Sequence, residues 1–262
     1  MRPFPRACAL FALAAFAGCG RQPATHPHAV FQTGLFQARH GVCDSSGTSC
    51  ARVRIEYLTL KEGAERPLRD SIDALLRLRM LHAGGDGPPY ATFQALADSF
   101  IGDYRSLQRA FPDYRTPWYL ERRATALHDT AGYVSIAFSE DTYAGGAHPN
   151  TLTTYITLDL TTGQPVTLDE LLTADGRDTL TAIAERVFRQ RRGLAPGVPL
   201  DSAGFWFENS TFRLNDNFAL GTDGLLFTFN PYEIAPYALG PTEIVLPYGE
   251  LRGTLALRGA PH

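Results

Sequence analysis

Residues 118–160 read WYLERRATALHDTAGYVSIAFSEDTYAGGAHPNTLTTYITLDL, and this stretch decides the fold class. Segments 118–127, 133–138 and 151–160 each have the composition of a strand, and the turn-forming residues 129–132 separate the first two. Helical spacing is confined to other parts of the chain, so strands and helices are segregated rather than alternating. The sequence therefore predicts an α+β fold with antiparallel sheets.

Helices are predicted on both sides of this stretch. Towards the N-terminus, residues 51–59 alternate like a half-buried strand, and apolar spacing then predicts helices over 67–81 and 90–111. The second helix carries an apolar stripe, which we expect to pack against the sheet: Phe93, Leu96, Ala97, Phe100, Ile101, Tyr104, Leu107 and Phe111. Towards the C-terminus, a helix is predicted over 175–192, followed by short strands. We expect two interlocked α+β lobes, residues 30–150 and 151–256, with helices packed on the sheets.

The first nineteen residues have the order of an export signal. Arg2 and Arg6 precede an apolar run over 7–17, and Gly18 and Cys19 follow. That run is too short to span a membrane, so we expect residues 1–18 to be a signal peptide that is removed. Phe16-Ala-Gly-Cys19 resembles the bacterial lipobox, which predicts acylation of Cys19; ordinary secretory cleavage is the alternative.

Acylation would anchor the protein to a membrane and leave it facing the periplasm. Residues 19–29 are polar and proline-containing, typical of an extended tether, and 257–262 are predicted to be a tail. The residues directly after Cys19 include no acidic sorting residue, which favours the outer membrane.

Charge and cysteine content exclude several classes of protein. Without Arg2 and Arg6, the chain has 22 basic and 27 acidic residues, a formal net charge of −5, which argues against a nucleic-acid partner. If Cys8 leaves with the signal peptide and Cys19 is acylated, Cys43 and Cys50 remain as a pair, for which an oxidising envelope predicts a disulfide. A zinc or redox site would need more thiols or a Cys-x-x-Cys spacing. No metal or other cofactor is predicted.

The segment 143–150, Tyr-Ala-Gly-Gly-Ala-His-Pro-Asn, has unusual local chemistry. Its two glycines permit positive φ, and the residue before a proline is held extended, so His148 is aimed by its backbone. The candidate ligand-binding residues here are Tyr143, Gly145, Gly146, His148 and Asn150.

The segment 230–248 contains prolines at 231, 236, 241 and 247. Proline is excluded from central strands, so the segment is predicted to be an edge or a rigid loop. It presents Tyr232, Glu233 and Tyr237 as further candidate contacts, because tyrosine on a stiff backbone gives binding area at low entropic cost.

Several of these motifs together resemble one family. In order, they are Tyr-x-Gly-Gly-Ala-His-Pro, Asp-Leu-Thr-Thr-Gly-Gln-Pro-Val-Thr-Leu-Asp-Glu-Leu-Leu, Phe-Asn-Pro-Tyr-Glu-Ile-Ala-Pro-Tyr-Ala-x-Gly and Ile-Val-Leu-Pro-Tyr. Residues 50–256 are similar to the RsiV-like family, the paired extracytoplasmic domains of unknown function found in a lysozyme-sensing anti-sigma factor and beside the catalytic domain of a peptidoglycan deacetylase. The resemblance implies an envelope module whose ligand is lysozyme or peptidoglycan. We find neither a sigma-binding segment nor the metal-binding motifs of a deacetylase, so we expect neither activity.

A non-catalytic binding module is therefore the leading prediction. The alternative is a peptidoglycan-directed hydrolytic enzyme in which His148 is a general base partnered by Glu233 or Asp141. A structural or assembly role is the third possibility, since a Gly-Gly turn and a Pro-Tyr loop can serve only to fold a tight corner. The sequence makes no prediction of oligomeric state.

Overall fold

The computed structural model describes residues 28–43, 49–82 and 87–258. The predicted signal peptide, Cys19 and most of the tether lie outside these residues, as do the last four residues of the tail. Cys43 and Cys50 form the predicted disulfide, with their Cα atoms 5.3 Å apart.

The first sheet has five strands in the order β1-β2-β3-β4-β5. Its strands are β1 Val30–Val42, β2 Ser49–Glu62, β3 Trp118–Thr130, β4 Tyr133–Tyr143 and β5 Asn150–Asp159. The predicted α+β class is confirmed, with one difference in pairing: β2 and β3 are parallel, while the other neighbouring strands of this sheet are antiparallel.

Two helices lie between β2 and β3 in the chain: α1, Arg66–Leu81, and α2, Phe93–Ala110. The first has Pro67 in its first turn, where a proline is tolerated, and the second is capped by Thr92, whose hydroxyl accepts the N–H of Ala95 at 3.0 Å. Both helices contribute to a core with β2, β3, β4 and β5. The helices carry the chain from the end of β2 back to the level at which β2 began, so β3 runs in the same direction as β2 and the two strands are parallel.

The apolar stripe predicted for α2 is partly correct. Phe93, Leu96, Ala97 and Tyr104 are buried, as expected. Phe111, however, is 61% exposed, because the helix ends at Ala110 and the next residue turns outward.

The second lobe contains a helix and a three-stranded antiparallel sheet. These are α3 Gly176–Arg191, β6 Phe218–Leu220, β7 Gly224–Phe229 and β8 Thr242–Pro247, with β7 in the centre. Phe188 of α3 is fully buried among the rings of Phe205, Phe207, Phe212 and Phe229. This aromatic cluster is the centre of the second core.

The two lobes interlock where β6 lies against the first sheet. The N–H of Leu220 donates to the hydroxyl of Ser135, which is also 2.7 Å from the hydroxyl of Thr157. All three residues are buried. The sequence division placed residues 151–256 in the second lobe, whereas β5 is the last strand of the first sheet; where the domains divide stays a prediction.

Candidate functional site

The two loops with unusual local chemistry meet in space. One joins β4 to β5 and carries His148; the other follows β7 over residues 230–241, and we call it the Pro-rich loop. The hydroxyl of Tyr237 in the Pro-rich loop donates to the carbonyl of Pro149 at 2.9 Å. The structure thus brings together candidate residues that are more than 80 positions apart in the sequence.

His148 lies between two tyrosines of the Pro-rich loop. Its ring stacks on that of Tyr237, with centroids 3.6 Å apart and planes 16° from parallel. Its Nδ1 is 2.8 Å from the carbonyl of Pro149, which can only accept, so Nδ1 carries the proton. In the neutral ring Nε2 then accepts from the hydroxyl of Tyr232, 3.2 Å away. Both ring nitrogens of His148 are therefore engaged.

Tyr232 combines exposure with an unfavourable backbone. Its side chain is 54% exposed, and its φ is +67°. The left-handed region costs a non-glycine residue roughly 1–2 kcal/mol, and a bulky residue rarely occupies it. Such strain persists where surrounding structure enforces it, and it is found preferentially at ligand sites.

Glu233 serves the loop itself. Its carboxylate accepts the backbone N–H of Asn230 at 2.8 Å and the side-chain amide of Asn215 at 2.6 Å. These bonds close the turn that holds Tyr232 in its strained conformation. Of the two residues, Tyr232 is the better placed to contact a ligand.

The other end of the Pro-rich loop is clamped by Arg192, the residue at the C-cap of α3. Its guanidinium donates to the carbonyls of Leu239, Gly240 and Pro241 at 3.1, 3.4 and 3.3 Å, and it also bonds the hydroxyl of Thr242. Burial lowers the pKa of Arg192 from its ordinary value, yet the group remains a cation at neutral pH. The loop that carries Tyr237 is consequently rigid.

The remaining candidates of the β4–β5 loop shape its backbone. Gly145 and Gly146 have φ values of +85° and +103°, and the hydroxyl of Tyr143 donates to the carbonyl of Gly146 at 3.0 Å. Asn150 is exposed at the start of β5. These residues position His148, and their own side chains are less directly at the contact between the loops.

The geometry does not assemble the predicted general base. In the described part of the chain, neither Glu233 nor Asp141 hydrogen bonds with His148; Asp141 instead accepts the hydroxyl of Tyr119 at 3.2 Å. Burial, together with the nearby charge of Asp141, raises the pKa of Tyr119. Within the same residues no cluster of three or more His, Cys, Asp or Glu side chains is arranged to hold a metal ion.

Two asparagines that sequence reasoning missed hold the loops together. Asn217 accepts the N–H of Tyr155 and donates to the carbonyls of Thr153 and Thr228, at 2.9, 2.8 and 2.9 Å. Asn230 accepts the N–H of Thr153 at 2.7 Å. Their amides take the place of a further strand along the outer edge of β5. No local pattern could have revealed this role, because their partners are between 11 and 77 residues away.

Two family models match separate parts of the chain. Residues 169–249 match the family described as "Protein of unknown function (DUF3298)", and residues 45–151 match the family described as "Deacetylase PdaC". Both domains are therefore present. The predicted pairing of a domain of unknown function with a deacetylase-related region is confirmed to this extent, while the closer relation to the lysozyme sensor stays a prediction.

Curated relatives cover less of the molecule. The immunogenic protein MPT64 of Mycobacterium tuberculosis and the immunogenic protein MPB64 of Mycobacterium bovis are each 32% identical over 120 residues, which is 43% of this chain. The matched region is 48% of each relative, so the chain spans about half the length of the curated relatives it matches.

Solved structures share the fold over nearly the whole chain. A DUF3298 family protein from Bacteroides fragilis has a TM-score of 0.68 at 20% identity, covering 88% of this chain and 95% of its own. One from Pseudomonas aeruginosa has a TM-score of 0.66 at 18% identity, covering 90% and 99%. At such identities the likeness establishes the architecture alone.

Proposed function

We propose that this protein is a non-catalytic binding module of the bacterial cell envelope that binds the glycan of peptidoglycan. The contact surface is formed by His148, Tyr232 and Tyr237. The observation that carries the proposal is Tyr232: an exposed ring on a strained backbone, with its hydroxyl directed at a histidine that stacks on a second tyrosine.

The chemistry of these side chains suits a sugar ligand. Tyrosine and imidazole rings offer flat apolar faces with polar edges, and a sugar ring offers C–H groups on its faces and hydroxyls around its rim. The ring centroids of Tyr237 and Tyr232 are 5.7 Å apart, so these two rings and that of His148 form one continuous surface rather than isolated contacts. One of the matched families is described as a deacetylase, which is compatible with a glycan ligand without specifying it.

A binding role is favoured over a hydrolytic one by the state of His148. A general base needs a free lone pair directed at the substrate and usually a carboxylate that orients the ring. Here the lone pair of Nε2 faces the Tyr232 hydroxyl, and the orienting group is a carbonyl. Turnover of muropeptides that disappears in His148→Ala would contradict the non-catalytic proposal.

Co-sedimentation with purified insoluble peptidoglycan tests the proposal. The wild-type protein should pellet with it, and Tyr232→Ala should weaken binding by about tenfold or more, as is typical for an aromatic anchor. Phe111→Ala is the matched control, because Phe111 is a similarly exposed ring on the other lobe. Failure of the wild-type protein to pellet, or equal binding by both variants, would overturn the proposal.

The same assay can include c-type lysozyme as the alternative ligand. An acidic chain steers a basic protein through long-range attraction, and the sequence carries a formal net charge of −3 even before signal removal. Lysozyme capture that weakens steeply with salt, in the absence of peptidoglycan binding, would favour that alternative.

Location is proposed from the sequence. We propose that Cys19 is acylated and that the protein is anchored facing the periplasm, in the outer membrane. Within the described residues, no helix has the length and apolar character needed to cross a membrane. Metabolic labelling with a palmitate analogue should mark the wild-type protein and not Cys19→Ala, and unlabelled wild-type protein would contradict the anchor.

A further inference from the structure

A second exposed aromatic ring lies beside the proposed surface. Trp206 is 55% exposed, whereas its neighbours Phe205 and Phe207 are buried at 4% and 9% in the second core. Two buried rings on either side fix the backbone, so the indole is directed outward by the fold. An exposed tryptophan held in this way is unusual for a residue with no contact to make.

The backbone of Trp206 lies against the Pro-rich loop. Its N–H donates to the carbonyl of Ile234 at 2.7 Å, two residues from Tyr232 in the sequence. Residues 204–211, which we call the Trp206 loop, are therefore adjacent to the loop that presents Tyr232 and Tyr237.

Backbone strain is concentrated in these two loops. In the residues that the structure describes, four non-glycine residues have positive φ: Ala131, Asn209, Ser210 and Tyr232. Three of the four belong to the Trp206 loop and the Pro-rich loop. Strained residues cluster where a surface must be held in one conformation for a ligand.

A polar network holds the strain in the Trp206 loop. The hydroxyl of Ser210 donates to the carboxylate of Asp201 at 2.9 Å and accepts the N–H of Asp201 at 3.1 Å. The hydrogen bond from Ser210, with that from the N–H of Ser202, lowers the pKa of Asp201, so the carboxylate stays ionised at neutral pH. Trp206 is thus presented by a preorganised loop.

The surroundings of Trp206 fit a polysaccharide better than a protein. Glu208 and Asn209 beside it, and Glu233 across the junction, are exposed polar residues. The exposed sequence neighbours of Trp206 and Tyr232 are thus polar, unlike the contiguous apolar core that a protein interface needs. Single flat rings spaced by hydrogen-bonding groups match a chain of sugar rings that carry acetamido and hydroxyl groups.

We propose that the Trp206 loop is a second subsite of the glycan surface, in which Trp206 stacks on one N-acetylated hexosamine while Tyr232 contacts another along the same chain. This assignment rests on the proposed function. It predicts that affinity increases with the number of sugar rings, since a short oligomer reaches one subsite and a longer one reaches both.

The experiment uses the two tryptophans as spectroscopic probes. Trp118 is 9% exposed and Trp206 is 55% exposed, and the sequence contains no other tryptophan. Titration of the purified protein with soluble N-acetylglucosamine oligomers of two to six rings should change its tryptophan emission. The change should disappear in Trp206→Phe and persist in Trp118→Phe.

Binding affinity and chemical protection complete the test. Trp206→Ala should weaken binding of the longest oligomer by about tenfold or more. The control variant, Phe111→Ala, should bind the oligomer as the wild-type protein does. In the wild-type protein, the oligomer should protect Trp206 from oxidation by N-bromosuccinimide, a readout that does not depend on any variant folding correctly.

The outcomes separate the subsite from the function. If Tyr232→Ala abolishes binding to peptidoglycan while Trp206→Ala binds like wild type and the oligomer gives no protection, the second subsite is wrong and the proposed function stands. If the wild-type protein binds neither peptidoglycan nor the oligomers, the proposed function fails, and the subsite fails with it.

Discussion

At the junction of the β4–β5 loop and the Pro-rich loop, single residues divide into those that hold the backbone and those that face solvent. Glu233 and Asn230 use their polar groups within the protein, and Tyr237 bonds Pro149 while stacking on His148. Tyr232, at 54%, is the most exposed large apolar side chain of the two loops. One short motif therefore supplies both the support and the contact.

Tyr232→Asn should separate strain from binding. Asparagine enters the left-handed region at lower cost than tyrosine, and this gain offsets the loss of the ring contacts and of the 3.2 Å bond to His148. We expect the free energy of unfolding in urea to stay within about 1 kcal/mol of wild type, while peptidoglycan co-sedimentation falls by about tenfold or more. A stability loss above about 2 kcal/mol would show that the ring is mainly structural.

A buried carboxylate near the end of β5 makes stability depend on pH. Asp159 is 3% exposed; burial alone would raise its pKa, but bonds from Arg258 at 2.9 and 2.6 Å and from the Thr161 N–H outweigh burial and lower it. Because its folded-state pKa is lowered, ionised Asp159 stabilises the folded protein at pH values above the unfolded-state pKa of roughly 3.9. That contribution is lost as the pH falls through the folded-state pKa.

Arg258→Ala should therefore lower the free energy of unfolding by about 1–3 kcal/mol at pH 7, since the carboxylate is left buried with fewer partners. The difference from wild type should be smaller at pH 3, below the ordinary pKa of an aspartate, because the contribution of the lowered pKa of Asp159 is lost as the pH falls. Urea unfolding at both values measures this. Arg213→Ala is the control: its ion pair with Glu208 is exposed, and we expect a change below about 0.5 kcal/mol. An equal loss at both pH values would contradict the charge-based account.

At the scale of elements, local patterns predicted much of the fold and little of how the elements meet. The helices and most strands follow from residue spacing, because periodicity reports which face is buried. The parallel pairing of β2 with β3 and the contact of the two loops depend on partners far along the chain, and no local pattern encodes them. The exposure of Trp206 also depends on tertiary structure, because Phe205 and Phe207 on either side of it are buried in the second core.

The outer edge of β5 offers a test of an element's support. An unpaired strand edge leaves donors and acceptors unsatisfied, and Asn217 satisfies two of them on β5, the N–H of Tyr155 and the carbonyl of Thr153, while also donating to the carbonyl of Thr228 on β7. Asn217→Ala should lower the free energy of unfolding by about 2–3 kcal/mol, since partly buried backbone groups lose their partners. Asn150 is an exposed asparagine on β5 itself, and Asn150→Ala should change the free energy of unfolding by less than about 0.5 kcal/mol. Thermal or urea unfolding compares the two, and equal effects would contradict this role for the amide.

At the scale of the whole molecule, two hydrophobic cores are joined by polar contacts. One core lies between the five-stranded sheet and its two helices, and the other surrounds Phe188. The Ser135–Leu220 bond, the asparagine bonds to β5 and the Asp159–Arg258 pair all cross between the lobes. Such contacts hold the two loops of the proposed surface in register, so the site depends on the union of the lobes.

This union predicts a single cooperative unfolding transition, and the tryptophans can test it because each reports one lobe. Trp118 packs with Tyr104 beside the first core, and Trp206 stands in the sequence between Phe205 and Phe207, which belong to the second core. Each single-tryptophan variant, Trp118→Phe and Trp206→Phe, should show a fluorescence transition in urea that coincides with the transition in its own far-UV circular dichroism. Comparison within one variant allows for any difference in stability between the two. Asn217→Ala, which removes bonds between the lobes, should move both probes together. If the midpoint of the fluorescence transition differs from that of circular dichroism, the two lobes unfold independently. The binding surface at their junction would then be lost when the first lobe unfolds.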